Sequence, residues 1–323
     1  MLKYQLFKMN LRLVVIDGNS LFHRAYHALP TTLTNSSGTP INAVYGFCTM
    51  LLKTIFELKP THIAIGFDTQ APTFRHVEFE HYKAQRKAPP EDLYPQLPIL
   101  KGLLDNLQIK YFEKPGFEAD DVIASIAIQS KIDDVVIVSG DRDVLQLISP
   151  QIKIQMPGWN LGELTLYDEK QLKAKYGLKP VQMIDYKALM GDQSDNIKGV
   201  AGIGPKTAGE LLVKYRDLEG VYEHLEDLSA VIKAKLEAGK EDAFKARGLV
   251  KLDADIDLGF KISDLRFDPD WEKIKEVLKK LGFRSIVTKI ENGSFENKIS
   301  PKIAETKEKI EKAKRDNDQL ELI

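Results

Sequence analysis

The chain has 323 residues, 43% hydrophobic and 29% charged, which suffices to bury a sizeable core in one large domain or two closely packed ones. A formal net charge of −1 excludes a generally basic nucleic-acid coat, so any DNA contact must use segregated patches, with bound cations reversing the sign of acidic clusters. The single Cys48 sits in an apolar helical pattern and excludes a disulfide framework. With no bilayer-length apolar run and no signal-peptide pattern, a reducing cytoplasmic setting is expected, without membrane contact.

Residues 11–16 (LRLVVI) are a continuous apolar run ending in Asp17-Gly18-Asn19-Ser20, which predicts a buried parallel strand, then a helix over 21–28. Helical periodicity over 42–59 stops at Pro60, and residues 61–67 (THIAIGF) predict a second buried strand ending at Asp68. Residues 109–112 predict a short strand, after which Glu118, Asp120 and Asp121 open a helix. Residues 134–138 (DVVIV) predict another strand, ending in Ser139-Gly140-Asp141-Arg142-Asp143. Strands alternating with helices imply an α/β fold with a parallel sheet and right-handed crossovers.

Asp17, Asp68 and Asp141 each stand at the carboxyl end of a predicted strand, the edge where open α/β sheets bind ligands. Acids at a helix start ordinarily complement its dipole, which is the plain reading of Glu118, Asp120 and Asp121 alone. Several strand ends and helix starts delivering carboxylates to one edge ask for more. Packed like charges repel unless cations neutralise them. An all-carboxylate set suits Mg²⁺ or Mn²⁺ and does not suit zinc.

Between residues 73 and 98 (TFRHVEFEHYKAQRKAPPEDLYPQLP) the character changes: Arg75, Lys83, Arg86 and Lys87 interleave with Phe74, Phe79, Tyr82 and Tyr94. A helix over 74–87 would hold Arg75, Lys83 and Arg86 broadly on one side. It reads either as a solvated surface helix or as a cationic element over the acidic edge that touches phosphates and stacks bases.

Residues 188–208 (ALMGDQSDNIKGVAGIGPKTA) join two patterns. The first sets Asp192 and Asp195 at i, i+3 spacing. The second, with Gly199, Gly202, Gly204, Pro205, Lys206 and Thr207, predicts a glycine hairpin opening a helix whose bare amides and nearby lysine seat a phosphate. Apart, they are an acidic loop and a glycine-rich turn. Joined, they suggest metal-binding acids beside a phosphate grip. After Tyr167 the chain reads as mainly helical, over 168–176, 181–189, 206–215, 218–225, 228–238, 243–252 and 271–281, with Asp217 capping one helix and Gly282 ending another. Residues 292–318 are highly charged and read as a partly helical or disordered tail, followed by Gln319-Leu320-Glu321-Leu322-Ile323.

These motifs together resemble the bacterial 5′→3′ exonuclease (flap endonuclease) family, found at the front of DNA polymerase I and as stand-alone proteins. The carriers are Val15-Ile16-Asp17-Gly18, Gly66-Phe67-Asp68, Phe74-Arg75, His81-Tyr82-Lys83-Ala84-Gln85-Arg86, Glu118-Ala119-Asp120-Asp121-Val122, Gly140-Asp141-Arg142-Asp143, Met190-Gly191-Asp192-Gln193-Ser194-Asp195-Asn196 and Gly199-Val200-Ala201-Gly202-Ile203-Gly204. Arg142 stands where lysine is usual, and Lys198 replaces the usual proline before Gly199.

The resemblance implies a PIN-like (Rossmann-like) nuclease domain over residues 9–180 with a helical arch over 73–98. A helix–three-turn–helix DNA-binding region over 181–290 and a flexible tail over 291–323 would follow. It implies one metal held by Asp17, Asp68, Glu118 and Asp120, a second by Asp141, Asp143, Asp192 and Asp195, and Asp121 between or just behind them. Lys83 and Arg86 would face the scissile phosphate and Tyr82 the terminal bases. Arg75, Lys87, Gly202, Gly204, Lys206 and Thr207 are expected at DNA. Backbone carbonyls of Leu189, Met190, Lys198, Val200 and Ile203 would hold a potassium ion. The expected activity is structure-specific hydrolysis of DNA near 5′ ends by a monomeric, nucleoid-associated enzyme, either free-standing or cut from a longer protein. Residues 319–323 resemble a sliding-clamp-binding peptide, with Ile323 in place of the usual aromatic. A PIN-like ribonuclease and a non-catalytic DNA-junction binder are the alternatives.

Overall fold

The computed structural model describes residues 11–86, 88–157 and 164–295. Lys87 and residues 319–323, both given roles above, lie outside the described residues.

The core is a six-stranded sheet in the order β3-β2-β1-β4-β5-β6, parallel except for the final antiparallel pair. The strands are β1 (Arg12–Asp17), β2 (His62–Phe67), β3 (Lys110–Glu113), β4 (Asp134–Val138), β5 (Ile152–Pro157) and β6 (Leu164–Tyr167). The first four are the expected ones. β5 and β6 were not expected, because their alternating, half-exposed residues lack the solid apolar run that marks an inner strand.

Successive side chains of an inner strand go to opposite faces. Leu13 and Val15 of β1, with Val135 and Ile137 of β4, join one core cluster, and Val14, Ile16, Val136 and Val138 join the other. Helices α1 (Gly18–Ala28), α2 (Asn42–Leu58) and α4 (Leu97–Asn106) cover the second face, while α5 (Ala119–Gln129) covers the first. Cys48 is buried in α2, where burial pushes its thiol up to about 12, consistent with a core role.

The helical region packs on the α5 side through α6 (Glu169–Tyr176), α7 (Gln182–Met190), α8 (Pro205–Tyr215), α9 (Leu218–Glu223), α10 (Ala230–Ala238) and α11 (Lys240–Val250). Asp217 caps α9 by accepting from Gly220 N at 2.8 Å, as its position predicts. The last two helices, α12 (Trp271–Lys280) and α13 (Arg284–Glu291), do not join that region. They return to the opposite face, where Ile274, Leu278, Ile286 and Val287 join the cluster of α2 and α4. No described helix is long and apolar enough to cross a membrane.

The expected helix over 74–87 is absent. A five-residue α3 (Phe74–Glu78) gives way to turns over 80–85, and Lys83 takes a left-handed φ of 56° that a helix does not accept. The reason is tertiary. This strap lies on a tight hairpin closed by reciprocal 2.8 Å hydrogen bonds between Asp192 and Ile197, so Asp192 and Asp195 are not on a helix either. Lys83 N donates to Asp195 O at 2.9 Å, Asn196 Nδ2 to His81 O at 2.7 Å and Gln85 Nε2 to Gln193 O at 2.5 Å, contacts that outweigh a weak local propensity.

Candidate active site

Parallel pairing aligns Asp17 with Gly66 and Ile16 with Val138, so β1, β2 and β4 end at the same edge. Asp17 caps α1: its Oδ1 accepts from Ser20 N at 2.8 Å and its Oδ2 from Ser139 Oγ at 2.6 Å. Ser139 Oγ also accepts from Asp141 N at 3.0 Å, and Asp141 Oδ1 accepts from Asp143 N at 2.9 Å. Asp68 is held by Ala119 N, which donates to its Oδ1 at 2.6 Å, while its own N–H meets Asn19 Oδ1 at 2.9 Å. Backbone amides and serines thus carry these acids to one place.

The electrostatics record the crowding. Burial pushes the Asp17 carboxyl up to about 7, with the like charges of Asp141 and Asp68 adding to the rise against the bonds from Ser139 and Ser20. Burial raises Asp120 well above the usual carboxylate range, helped by Asp141, Asp17, Asp143 and Asp68. Asp68 is raised by burial, and Glu118 adds to it. Asp143 reaches about 7 through burial and the Asp141 charge, in spite of Lys187.

Lys187 was not singled out from the sequence. Its ammonium bridges Asp143 and Asp192, at 2.7 Å from Asp192 Oδ2. Burial works upward on Asp192 too, but Lys187 and Ser194 hold it down at about 2, because Asp192 is less buried than Asp143. The signal available was its place on a predicted helix five residues before Asp192.

A second set of acids lies under the strap. Glu118 Oε1 accepts from Lys83 Nζ at 2.5 Å, and Asp195 Oδ1 from Arg86 Nη2 at 2.5 Å. The Tyr82 hydroxyl reaches both Glu118 Oε2, at 2.9 Å, and Asp195 Oδ2, at 3.1 Å.

A family model described as 5′-3′ exonuclease, N-terminal resolvase-like domain, matches residues 12–177, and one described as 5′-3′ exonuclease, C-terminal SAM fold, matches residues 178–273. The chain belongs to the 5′-3′ exonuclease family. It is 42% identical over 286 residues to DNA polymerase I of Caldicellulosiruptor bescii, covering 87% of this chain and 33% of that one. It is 38% identical over 289 residues to DNA polymerase I of Bacillus subtilis, covering 88% and 33%. The chain therefore spans about a third of the length of these curated relatives. Its fold is similar to that of the bacteriophage T5 D15 flap endonuclease solved with DNA and metal ions, with a TM-score of 0.62 and 21% identity over 84% of this chain and 99% of that one.

Within this family frame, several residues stand elsewhere than their motifs suggest. Arg75, expected at DNA, is buried and pairs through both terminal nitrogens with Asp121, at 2.6 and 2.8 Å. Asp121 is accordingly behind the acid edge, fully buried and already neutralised. Tyr82, expected at terminal bases, is 4% exposed and packs among Ala188, Leu249 and Val250. Asp195 meets the strap cations, Lys83 at 3.8 Å and Arg86 at 2.5 Å.

The glycine turn is as tight as its composition suggests. Gly191 has φ 75°, and a Cβ on Gly199 would come within 2.2 Å of Gly191 N, so only glycine lets these strands of chain cross. Of the carbonyls expected at potassium, those of Leu189 and Val200 accept from Val200 N at 2.8 Å and Ile203 N at 3.0 Å and retain a second lone pair. Helix α8 starts at Pro205 without a side-chain cap, with exposed Gly202, Gly204 and Lys206 and half-exposed Thr207 around its open amides.

Among the described residues no three acidic, His or Cys side chains already stand close enough to share a metal ion. Lysines occupy part of that space. The donors nonetheless fit hard divalent cations. They are carboxylates throughout, and Asp120 Oδ1 is buried without a hydrogen-bond partner, a state that an ion would relieve.

Proposed function

We propose that the chain hydrolyses DNA phosphodiester bonds near 5′ ends in flap, nicked or branched duplexes, as a structure-specific 5′-3′ exonuclease and flap endonuclease of replication and repair. The observation that carries this reading is the gathering of Asp17, Asp68, Asp120, Asp141 and Asp143 at one sheet edge, where burial and mutual repulsion raise Asp17, Asp68, Asp120 and Asp143. Beside it stand two cations, Lys83 and Arg86, on an adjoining strap. The T5 structure with DNA and metal ions, and the DNA polymerase I relatives, support the same reading.

Asp17, Asp68, Glu118 and Asp120 would hold one divalent ion, and Asp141, Asp143, Asp192 and Asp195 another, Mg²⁺ or Mn²⁺ by donor type. Bound there, such ions supply an activated water and stabilise the leaving oxygen. Lys83 and Arg86 exchange Glu118 and Asp195 for phosphate oxygens and offset charge that grows on the phosphoryl group. The start of α8 seats a duplex phosphate, with potassium against the neighbouring carbonyls of Leu189, Met190, Lys198, Val200 and Ile203. These contacts read backbone and branch geometry, so base sequence matters little. Residues 319–323 would bind the sliding clamp, and clamp affinity unchanged by their deletion would remove that part.

The test is a panel of 5′-labelled flap, nicked and single-stranded substrates with Mg²⁺ or EDTA. Cleavage of the flap near its branch in Mg²⁺ alone is expected. Binding without cleavage would favour a junction binder, and preferential cleavage of single-stranded RNA a ribonuclease.

A further inference from the structure

Arg75 uses every donor it has, and all of them inside the protein. An arginine carries five N–H groups in a rigid plane. Nε donates to Leu249 O at 2.7 Å. Nη1 donates to Asp121 Oδ2 at 2.6 Å and Glu118 Oε2 at 3.3 Å, and Nη2 to Asp121 Oδ1 at 2.8 Å and Lys251 O at 3.1 Å. The guanidinium side chain is 2% exposed, so it has neither a donor nor a surface left for DNA.

Its partners come from two places, and it joins them to a third. Leu249 and Lys251 are at the end of α11, Glu118 and Asp121 at the start of α5, and Arg75 itself at the root of the strap. Asp121 closes the arrangement: Oδ2 accepts from Glu118 N at 3.1 Å and Oδ1 from Asp253 N at 2.9 Å. Glu118 is therefore held at its carboxylate directly and at its backbone through Asp121. The same carboxylate meets Lys83 and Tyr82, so its orientation also sets where the strap cations stand.

We propose that Arg75 is a positioning residue for the reaction: it aims the Glu118 carboxylate at the acid edge and locks that edge to the end of α11. This rests on the nuclease reading above. A merely structural arginine could be replaced by lysine at a cost in stability alone. A positioning one could not, since an ammonium has three donors, no plane, and cannot reach two carboxylates and two carbonyls together.

Arg75→Lys keeps the charge and is the first variant to test, well below its melting temperature. Turnover on 5′-flap DNA should fall about ten- to a hundredfold with KM for DNA within about twofold, and the Mg²⁺ concentration giving half of the thermal stabilisation should rise about tenfold. Unchanged turnover and Mg²⁺ dependence in a folded variant would overturn the proposal, and so would a rise in KM alone, the mark of a DNA anchor. Should Arg75→Lys not fold, Asp121→Asn retains shape and Arg75 while releasing the fork. It should show the same loss of turnover and raised Mg²⁺ requirement, and wild-type values there would equally overturn the idea. If wild type itself does not cleave flap DNA, the functional reading fails, while the Mg²⁺ melting shift still decides the role of Arg75.

Discussion

The acid edge and the strap base are a few residues apart in sequence and opposite in electrostatics. At the strap base each buried carboxylate has a cation of its own: Asp121 has Arg75, Glu118 has Lys83 and Asp195 has Arg86. At the sheet edge Asp17 and Asp68 have amides and a serine, Asp120 has an oxygen without a hydrogen-bond partner, and burial with repulsion from neighbouring acids raises all three. Asp120 and Asp121 show the division within one turn of α5, one with an orphaned oxygen and the other with both oxygens filled. Buried charge that brings its counter-ion holds the fold together. Buried charge that lacks one would, on the function proposed above, take its counter-ion from solution.

The largest expected effect is at the uncompensated edge. Asp141→Asn should lower flap cleavage by about 100-fold or more while flap binding by anisotropy stays within a few-fold. Retained turnover would mean the edge is not where the chemistry occurs. Next comes Lys83→Ala, which takes the cation from the strap. Turnover in single-turnover assays should drop about 100-fold with little loss of DNA affinity, and equal losses in both would make Lys83 an anchor. Lys187→Met moves the edge further from compensation by removing the ammonium between Asp143 and Asp192. Mg²⁺ should then bind about tenfold tighter in a melting-shift titration, and weaker binding would show that Lys187 supports the ion instead.

The smallest effect is on stability against pH. Asp17 and Asp143 have folded-state values near 7 against 3.8 for the ordinary carboxyl, so the folded protein holds their protons more tightly than the unfolded chain. Stability from these groups is complete below about 4 and is lost as pH rises towards 7. Asp192, held near 2, works in the opposite sense, and only below 3.8. Protein in EDTA should therefore melt several degrees lower at pH 8 than at pH 5, and saturating Mg²⁺ should close the gap. A melting temperature that rises over this range in EDTA would refute the raised values.

Strands β1 and β4 were legible because their apolar runs, LRLVVI and DVVIV, are of the kind that is buried on both faces. Asp17, Asp68, Asp120 and Asp141 were legible because each follows a strand or opens the helix after one. β5 and β6 were not, being half exposed, and neither was the return of α12 and α13 to the far face, since an amphipathic helix does not say which partner it meets. Arg75 and Tyr82 looked like surface groups among charged neighbours. Their burial depends on Asp121, Leu249, Lys251 and Asp195, which are distant in sequence and brought close only by the fold. The strap, too, is not a helix because a hairpin more than a hundred residues away supplies its hydrogen bonds.

The most direct measurement is the proton count on metal binding, by titrating Mg²⁺ into EDTA-stripped protein at pH 6 and at pH 9 in lightly buffered solution. Asp17 and Asp143, near 7, hold protons at the lower pH that a bound cation must expel. The expected result is release of about one proton or more per protein at pH 6 and almost none at pH 9. Mg²⁺ binding with no proton release at pH 6, or no binding at either pH, would contradict the view that the sheet edge is a set of incompletely compensated carboxylates that takes divalent ions.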